Sequence, residues 1–254
     1  MRLEILGCSG GIGTGSYTTA MLLDEDILID AGTGVGTLAL DDLLKIDHIF
    51  VTHAHLDHIA FIPFLVDTTG SLRDRPLVVH ALPSTLQSLQ AHIFNWHIWP
   101  DFSCIPDATH PYMRYEPITI GETIVLGSRR ITPLPAFHIV PAVGFQLDSG
   151  QSSLVFTGDT TADDALWQVI NRIANLRYLI IESAFSNTGQ DIAIRSGHFH
   201  PAMLINELNK LQHDAEIYIT HLRQGETEVT MREILGGSTR FNPRRLMSNQ
   251  VFEF

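Results

Sequence analysis

Three imidazoles and one carboxylate crowd into the stretch Thr52-His53-Ala54-His55-Leu56-Asp57-His58. Neutral imidazoles and carboxylates are the usual ligands of zinc and similar divalent ions. On a turning loop His53 and His55 can face one metal, while Asp57 and His58, on the next turn, can face a second. This differs from a helical His-Glu-x-x-His motif, whose ligands stack at i and i+4. Three more candidates follow far apart in the chain: His138, Asp159 and His221. Together the seven complete two sites. His53, His55 and His138 serve the first, Asp57, His58 and His221 the second, and Asp159 bridges them. Two divalent cations about 3.5–4 Å apart repel and need shared negative charge, which a bridging carboxylate supplies.

Strands must carry these residues to one place. Asp47-His48-Ile49-Phe50-Val51 reads as a short buried strand before the first motif, and Ile59 to Val66 as an apolar helix after it. Open α/β sheets place their sites on such loops, at the carboxyl ends of strands. His138, Asp159 and His221 each close a strand-like run as well: Thr132 to Phe137, Ser153 to Phe156, and Glu216 to Thr220. Thr18–Leu23 and Ile27–Asp30 read as a hairpin turning at Asp24-Glu25-Asp26. Asp30, at its end, is placed to hold a ligand histidine by its second nitrogen, with a plain turn or helix cap as the other reading. Val35–Ile46 reads as an amphipathic helix, and Pro83 opens another through Ile93. Helical patterns also cover Asp163–Ala174, Ala202–Leu211 and Gly225–Leu235, and Leu246–Phe254 adds an edge strand. Strands come first and then alternate with helices, in both halves of the chain. That pattern favours one domain, residues 1–254, with two central sheets between helical layers.

Two stretches carry weaker signals. Gly7 to Ser16 offers a glycine-rich turn, but no helix pattern and no acidic residue at dinucleotide spacing follow it. It reads as a flexible loop edging a pocket. Phe94 to Phe102 is dense in aromatics. Asn95, Trp96 and Trp99 could border a planar base, although the end of a core helix is the favoured reading of such a stripe.

Composition narrows the class. The chain has 254 residues, 44% of them hydrophobic and 17% charged, which suits a sizeable core. A net charge of −12 repels phosphate backbones, and the chain has no basic arm, which argues against a nucleic-acid partner. Cys8 and Cys104 make no disulfide framework and are expected to pack as small apolar groups. The start, Met1 to Gly7, lacks the apolar run of a signal peptide, and no stretch approaches the ~18 apolar residues of a membrane helix. A cytoplasmic location and no membrane partner are the expectation.

The ordered set Thr52-His53-x-His55-x-Asp57-His58, His138, Gly158-Asp159 and His221 resembles the metallo-β-lactamase fold superfamily along essentially the whole chain. The resemblance implies an α/β, four-layer αββα sandwich with two mixed sheets flanked by helices. It also implies two divalent metal ions, with Zn2+ expected and Mn2+ or Fe2+ as substitutes. His53-Ala54-His55-Leu56-Asp57-His58-Ile59, the Phe94–Pro100 segment, Glu182-Ser183-Ala184-Phe185 and Gly197-His198 are similar to class II cyclic-nucleotide phosphodiesterases. That likeness implies hydrolysis of 3′,5′-cyclic AMP or cyclic GMP to the 5′-monophosphate, with His198 as general acid, Glu182 orienting it, and Asp57 in the reacting site. Phe61 departs from the family, which favours glycine there and so leaves the pocket floor open. Transfer-RNA 3′-end nucleases share the loop, a Glu at 182 and a His at 198, but carry a basic arm that is missing here. Lactone and thioester hydrolases of the same fold are the remaining alternative. Relatives often pair, which extends the expectation to a homodimer beside the small-molecule substrate.

Overall fold

Apolar alternation along the strands builds the layers, because successive side chains point to opposite faces of a sheet. In the computed structural model, which describes residues 1–237 and 240–254, the chain lays down β1 (Arg2–Gly7), β2 (Ala20–Leu23), β3 (Ile27–Ala31), β4 (His48–Phe50), β5 (Leu77–Ala81) and β6 (Met113–Pro117) as one sheet. The second sheet takes β7 (Ile124–Leu126), β8 (Arg129–Ala136), β9 (Ala142–Asp148), β10 (Ser153–Phe156), β11 (Leu176–Glu182), β12 (Glu216–Thr220) and β13 (Arg244–Arg245). The chain then returns to the first sheet as β14 (Val251–Glu253), antiparallel to β1. Both sheets are mixed. β3, β4, β5 and β6 run parallel in the first, and β10 to β13 run parallel in the second.

Ile27, Ile29 and Phe50 face Val143, Phe145, Leu154 and Ile180 across the space between the sheets, where they form the central core. The alternate residues Leu28, Ile49, Val51 and Val79 face outward under the first helical layer. Leu179, Ile181, Ile217 and Ile219 do the same on the other side. The first outer layer is built from α1 (Leu40–Leu43), α2 (Leu56–Ile59), α3 (Ile62–Thr69) and α4 (Pro83–His92). The second has α5 (Asp164–Ile170), α6 (Gln190–Ser196), α7 (Pro201–Leu208) and α8 (Thr227–Gly236). Leu65, Val66, Leu86 and Leu89 seal one side, and Trp167, Leu204, Leu208 and Ile234 the other. Each such side chain contributes roughly 1.5–3 kcal/mol on burial. The expected four-layer sandwich of two mixed sheets flanked by helices is the one observed. No helix among the described residues is long and apolar enough to cross a membrane.

Several local expectations are corrected. Val35–Ile46 is not one helix. Thr33–Thr37 is a 3-10 turn, and only Leu40–Leu43 is α-helical. The apolar spacing is helical, but the segment's glycines serve close packing. A Cβ on Gly34 would lie 2.7 Å from the Gly7 nitrogen, and one on Gly36 would lie 2.6 Å from the Phe61 ring. The helix read over Ile59–Val66 is broken at Ala60-Phe61 into α2 and α3. Phe61 therefore lies over Gly36 and beside Phe64, 5.5 Å between ring centroids, as part of the first outer core. Cys8 is half-buried as expected, but Cys104 is exposed.

Candidate metal centre

The parallel strands end together, and their carboxyl ends deliver the polar residues to one cleft between the sheets. β4 leads to His53 and His58, β10 to Asp159, β11 ends on Glu182, and β12 leads to His221. β8 brings His138 from its own end. Two four-membered groups of ligand-type atoms result, each with its atoms within 4.8 Å of one another: His53, His55, His138 and Asp159, and Asp57, His58, Asp159 and His221. Asp159 belongs to both, and also to a third, three-membered group with Glu182 and His198. Its Oδ1 lies 3.5 Å from His58 Nε2, and its Oδ2 lies 3.6 Å from His53 Nε2 and 3.3 Å from His221 Nε2. Gly158 turns the chain into this position at φ 62°, and a Cβ there would meet the Val143 carbonyl at 2.7 Å.

Hydrogen bonds behind the rings decide which nitrogen faces the cleft. His58 Nδ1 lies 2.6 Å from Asp30 Oδ2, so Asp30 holds that histidine by its second nitrogen, the first of its two sequence readings. Thr52 is a hub that the sequence reading overlooked. Its backbone N–H and its hydroxyl both donate to Asp30, at 2.8 Å each, and the same hydroxyl oxygen is 3.0 Å from His53 Nδ1. With its proton spent on Asp30, that hydroxyl can accept from His53 Nδ1–H. His138 Nδ1 donates to the Gly197 carbonyl at 2.9 Å. The only signals were a hydroxyl residue closing a strand and a glycine before a histidine. Asp30 and His221 hold left-handed backbone, at φ 58° and 60°.

The chemistry of this donor set fits divalent metal ions. His53 Nε2 and His58 Nε2 are buried and have no hydrogen-bond partner, although both face the shared carboxylate. A buried imidazole nitrogen left without a hydrogen-bond partner is costly. A cation placed among these atoms removes that cost.

The two groups differ electrostatically. Burial lowers the pKa of His53, His55 and His138, with neighbouring imidazoles reinforcing the effect at His53 and His55, so these three stand neutral. Burial also opposes charge on His58 and His221, but Asp159 with Asp30 outweighs it at the first, and Asp159 with Asp57 at the second. His58 is raised well above its ordinary value, and His221 to about 9. Burial would push the Asp159 carboxyl up, yet His221 and His58 hold it well below the usual carboxylate range.

Beside the cluster, Glu182 is fully buried and His198 Nδ1 is 2.7 Å from its Oε1. The Thr160 N–H donates to the same oxygen at 3.1 Å and the Phe199 N–H to Oε2 at 3.2 Å, which locks the carboxylate. The His198 ring stacks 5.1 Å from His221 and meets His138 edge-on at 4.9 Å. Its pKa is raised, because the Glu182 charge and hydrogen bond outweigh burial.

The aromatic segment goes elsewhere. Asn95 Nδ2 donates to the Ala91 carbonyl, and its Oδ1 accepts from the His97 and Ile98 N–H groups at 3.0 and 2.8 Å. Trp99 packs on Phe64 at 5.3 Å and on the first outer core, and Trp96 is 63% exposed. None of these contacts runs to the His–Asp cluster. Turn formation occupies Asn95 and packing occupies Trp99, while the Trp96 ring is open to solvent. The glycine-rich turn is fastened to the last ligand strand, with the Gly10 N–H on the Leu222 carbonyl at 3.2 Å. Its outer side edges a cavity of about 210 Å³.

A four-layer sandwich with a double His–Asp cluster at the strand ends defines a metal-dependent hydrolase. The chain belongs to the beta-lactamase superfamily, whose domain model matches residues 25–222. Among curated relatives, it is 25% identical over 270 residues to a 3′,5′-cyclic-nucleotide phosphodiesterase of Aliivibrio fischeri, covering 86% of this chain and 80% of the relative. It is 30% identical over 156 residues to a nuclear ribonuclease Z of Triticum aestivum, covering 60% of this chain and 82% of the relative. Unliganded yeast PDE1 superposes with a TM-score of 0.83 at 16% identity, covering 98% of both chains.

Proposed function

We propose that residues 1–254 form one hydrolase domain that cleaves 3′,5′-cyclic nucleotides, cyclic AMP or cyclic GMP, to 5′-monophosphates, with zinc the expected metal. The observation that carries this reading is the Glu182–His198 pair set against the double cluster. An alkoxide such as the ribose 3′ oxygen leaves poorly without a proton, and His198 stands where it can give one. The relative from Aliivibrio fischeri supports the substrate class, and the central core shared by both sheets supports a single domain.

In this reading His53, His55 and His138 hold one divalent ion, Asp57, His58 and His221 the other, and Asp159 both. Ions so held neutralise charge on phosphoryl oxygens and lower the pKa of water. The remaining work belongs to the chain. Asp30 and Thr52 keep Nε2 of His58 and His53 turned into the cleft. Asp57, half-buried beside His221, keeps negative charge at the second group and stands in the reacting site. Glu182 holds His198 Nδ1–H, so the Nε2 proton is the one donated to the leaving oxygen.

A turnover panel tests the function. Protein stripped with chelator and restored with zinc or manganese is offered cyclic AMP, cyclic GMP, 2′,3′-cyclic AMP, precursor transfer RNA and a lactone. Turnover of the 3′,5′-cyclic nucleotides above all others is expected. The wheat relative makes a ribonuclease Z-type activity the second reading, and faster cleavage of precursor transfer RNA would establish it in place of the first. Turnover of the lactone alone would overturn both.

Two further results are expected. Asp30→Asn removes the charge behind His58 and should weaken metal affinity about 10–100-fold, as outer-sphere changes typically do; chelator competition measures it, and unchanged affinity would refute Asp30's orienting role. Metal loading should also depend on pH differently at the two groups. His221, at about 9, and His58 bind protons in the metal-free chain at neutral pH, so an ion must displace them. Affinity at that group should therefore fall as pH is lowered below about 9, by roughly tenfold per unit for each displaced proton. The neutral His53, His55 and His138 should load to lower pH. Titration calorimetry in two buffers of different ionisation enthalpy reads the released protons, and zero release at pH 7 would count against the second group.

A further inference from the structure

The acid side of the cleft has a cation that the mechanism above does not use. Arg223 lies two residues beyond His221, on the loop leaving β12, and is exposed. Its guanidinium sits over the Phe185 ring, 4.8 Å from the centroid. Phe185 is itself buried, and its ring lies 6.0 Å from that of His198. Arg223, Phe185, His198 and His221 thus follow one another into the metal cluster. Among the described residues no carboxylate forms an ion pair with Arg223. Glu226, three residues further on, turns its Oε2 to the Ser186 N–H at 3.0 Å; the Ser186 hydrogen bonds hold its carboxyl below the usual range, and the Arg223 charge adds a smaller pull.

This placement matters because of the rest of the charge. The chain carries −12 overall, and Asp57, Asp159 and Glu182 concentrate carboxylates in the cleft. An anion approaching such a surface meets an unfavourable field unless a local cation opens a path. An arginine stays charged at every working pH, and stacking on an aromatic face holds its planar fork in place before the substrate arrives. Phe185 provides that bed from a position fixed by its own burial.

We propose that Arg223 is a specificity-determining residue that draws in and holds the anionic phosphodiester on the acid side of the cleft. The inference rests on the phosphodiesterase reading given above. It accounts for how an acidic protein accepts an anionic substrate. The charge acts on bound substrate and transition state alike, so its effect belongs in KM more than in kcat.

The test uses metal-loaded protein carrying Arg223→Ala, Arg223→Lys or Arg223→Glu, with cyclic AMP, cyclic GMP and bis(p-nitrophenyl) phosphate at low and high salt. Arg223→Ala should raise KM about five- to tenfold at low salt, with kcat within about twofold of the parent. Lysine should recover most of the loss, and glutamate should deepen it. The differences should shrink to about twofold or less near 1 M salt, where the screening length is about 3 Å. Equal KM values in all four proteins, or a KM shift that follows neither the charge at 223 nor the salt, would overturn the inference; the latter would mean that Arg223 only packs Phe185. A parent protein that cleaves bis(p-nitrophenyl) phosphate but no cyclic nucleotide would overturn the cyclic-nucleotide reading alone, and Arg223 is then judged on that substrate by the same pattern. Absence of turnover on every phosphodiester overturns both.

Discussion

Replacing Asp159 with alanine should cut turnover by about 10³-fold or more and lower the bound metal from two equivalents to at most one. The reason is electrostatic. Two doubly charged ions about 4 Å apart repel by roughly 16 kcal/mol at an effective dielectric of about 20. Asp159 is the carboxylate common to both groups, 3.5 Å from His58 Nε2 through one oxygen and 3.6 Å from His53 Nε2 through the other. It is also almost fully buried, at 2% exposure, so water cannot replace its charge. Losing several kcal/mol of metal-centred stabilisation corresponds to several powers of ten in rate. Elemental analysis and kcat read the two effects. A variant with two full equivalents of metal and more than a tenth of the parent rate would remove Asp159 from the bridging position.

His198→Ala should leave both metals in place and lower kcat on a cyclic nucleotide about 10²–10⁴-fold, the usual contribution of a general acid. His198 packs its ring on the cluster and reserves Nδ1 for Glu182, so its loss strips no nitrogen from either four-membered group. The discriminating measurement is the leaving group. Bis(p-nitrophenyl) phosphate releases a phenolate that needs no proton, so its turnover should fall by less than about tenfold. An equal loss on both substrates would assign His198 to structure and not to proton transfer. Glu182→Gln should give a weaker form of the same pattern, because the amide keeps the bulk but withdraws the charge that raises the His198 pKa.

Much of this was legible in the chain because it is written in residue types. Each candidate ligand follows a β-branched or aromatic run, so strand ends and polar residues announce one another, as at Phe156-Thr157-Gly158-Asp159. Asp30, at the end of an apolar run, suits a histidine partner and a plain turn or cap equally well, and only the fold decides by setting its Oδ2 2.6 Å from His58 Nδ1. The Gly197 carbonyl was beyond reach, since any residue could supply a carbonyl and only the fold aims this one at His138 Nδ1. The Thr52 hydroxyl was hidden for a related reason: its partners Asp30 and His58 become neighbours only when β3 and β4 pair. Val35–Ile46 misled because its apolar period is helical, while Gly34 and Gly36 are set by backbone and ring contacts from β1 and Phe61. Asn95, Trp96 and Trp99 were grouped by composition, and the turn after α4 separates them into a cap, an exposed ring and a core contact.

The left-handed backbone at Asp30 and His221 has a consequence for ageing and storage of the protein. A non-glycine residue in that region costs on the order of 1–3 kcal/mol, and it persists only where the surroundings over-determine it. Here the surroundings include Thr52 and His58 around the Asp30 carboxylate, and the Cys8 carbonyl on the His221 N–H at 2.9 Å. In the proposed centre the strained residues are among those that would hold and orient the metals, so binding energy and backbone tension would oppose each other at the same atoms. Chelation should therefore act as a release catch: metal-stripped protein should open first around residues 30 and 221, and should lose amide-exchange protection there before the central core responds.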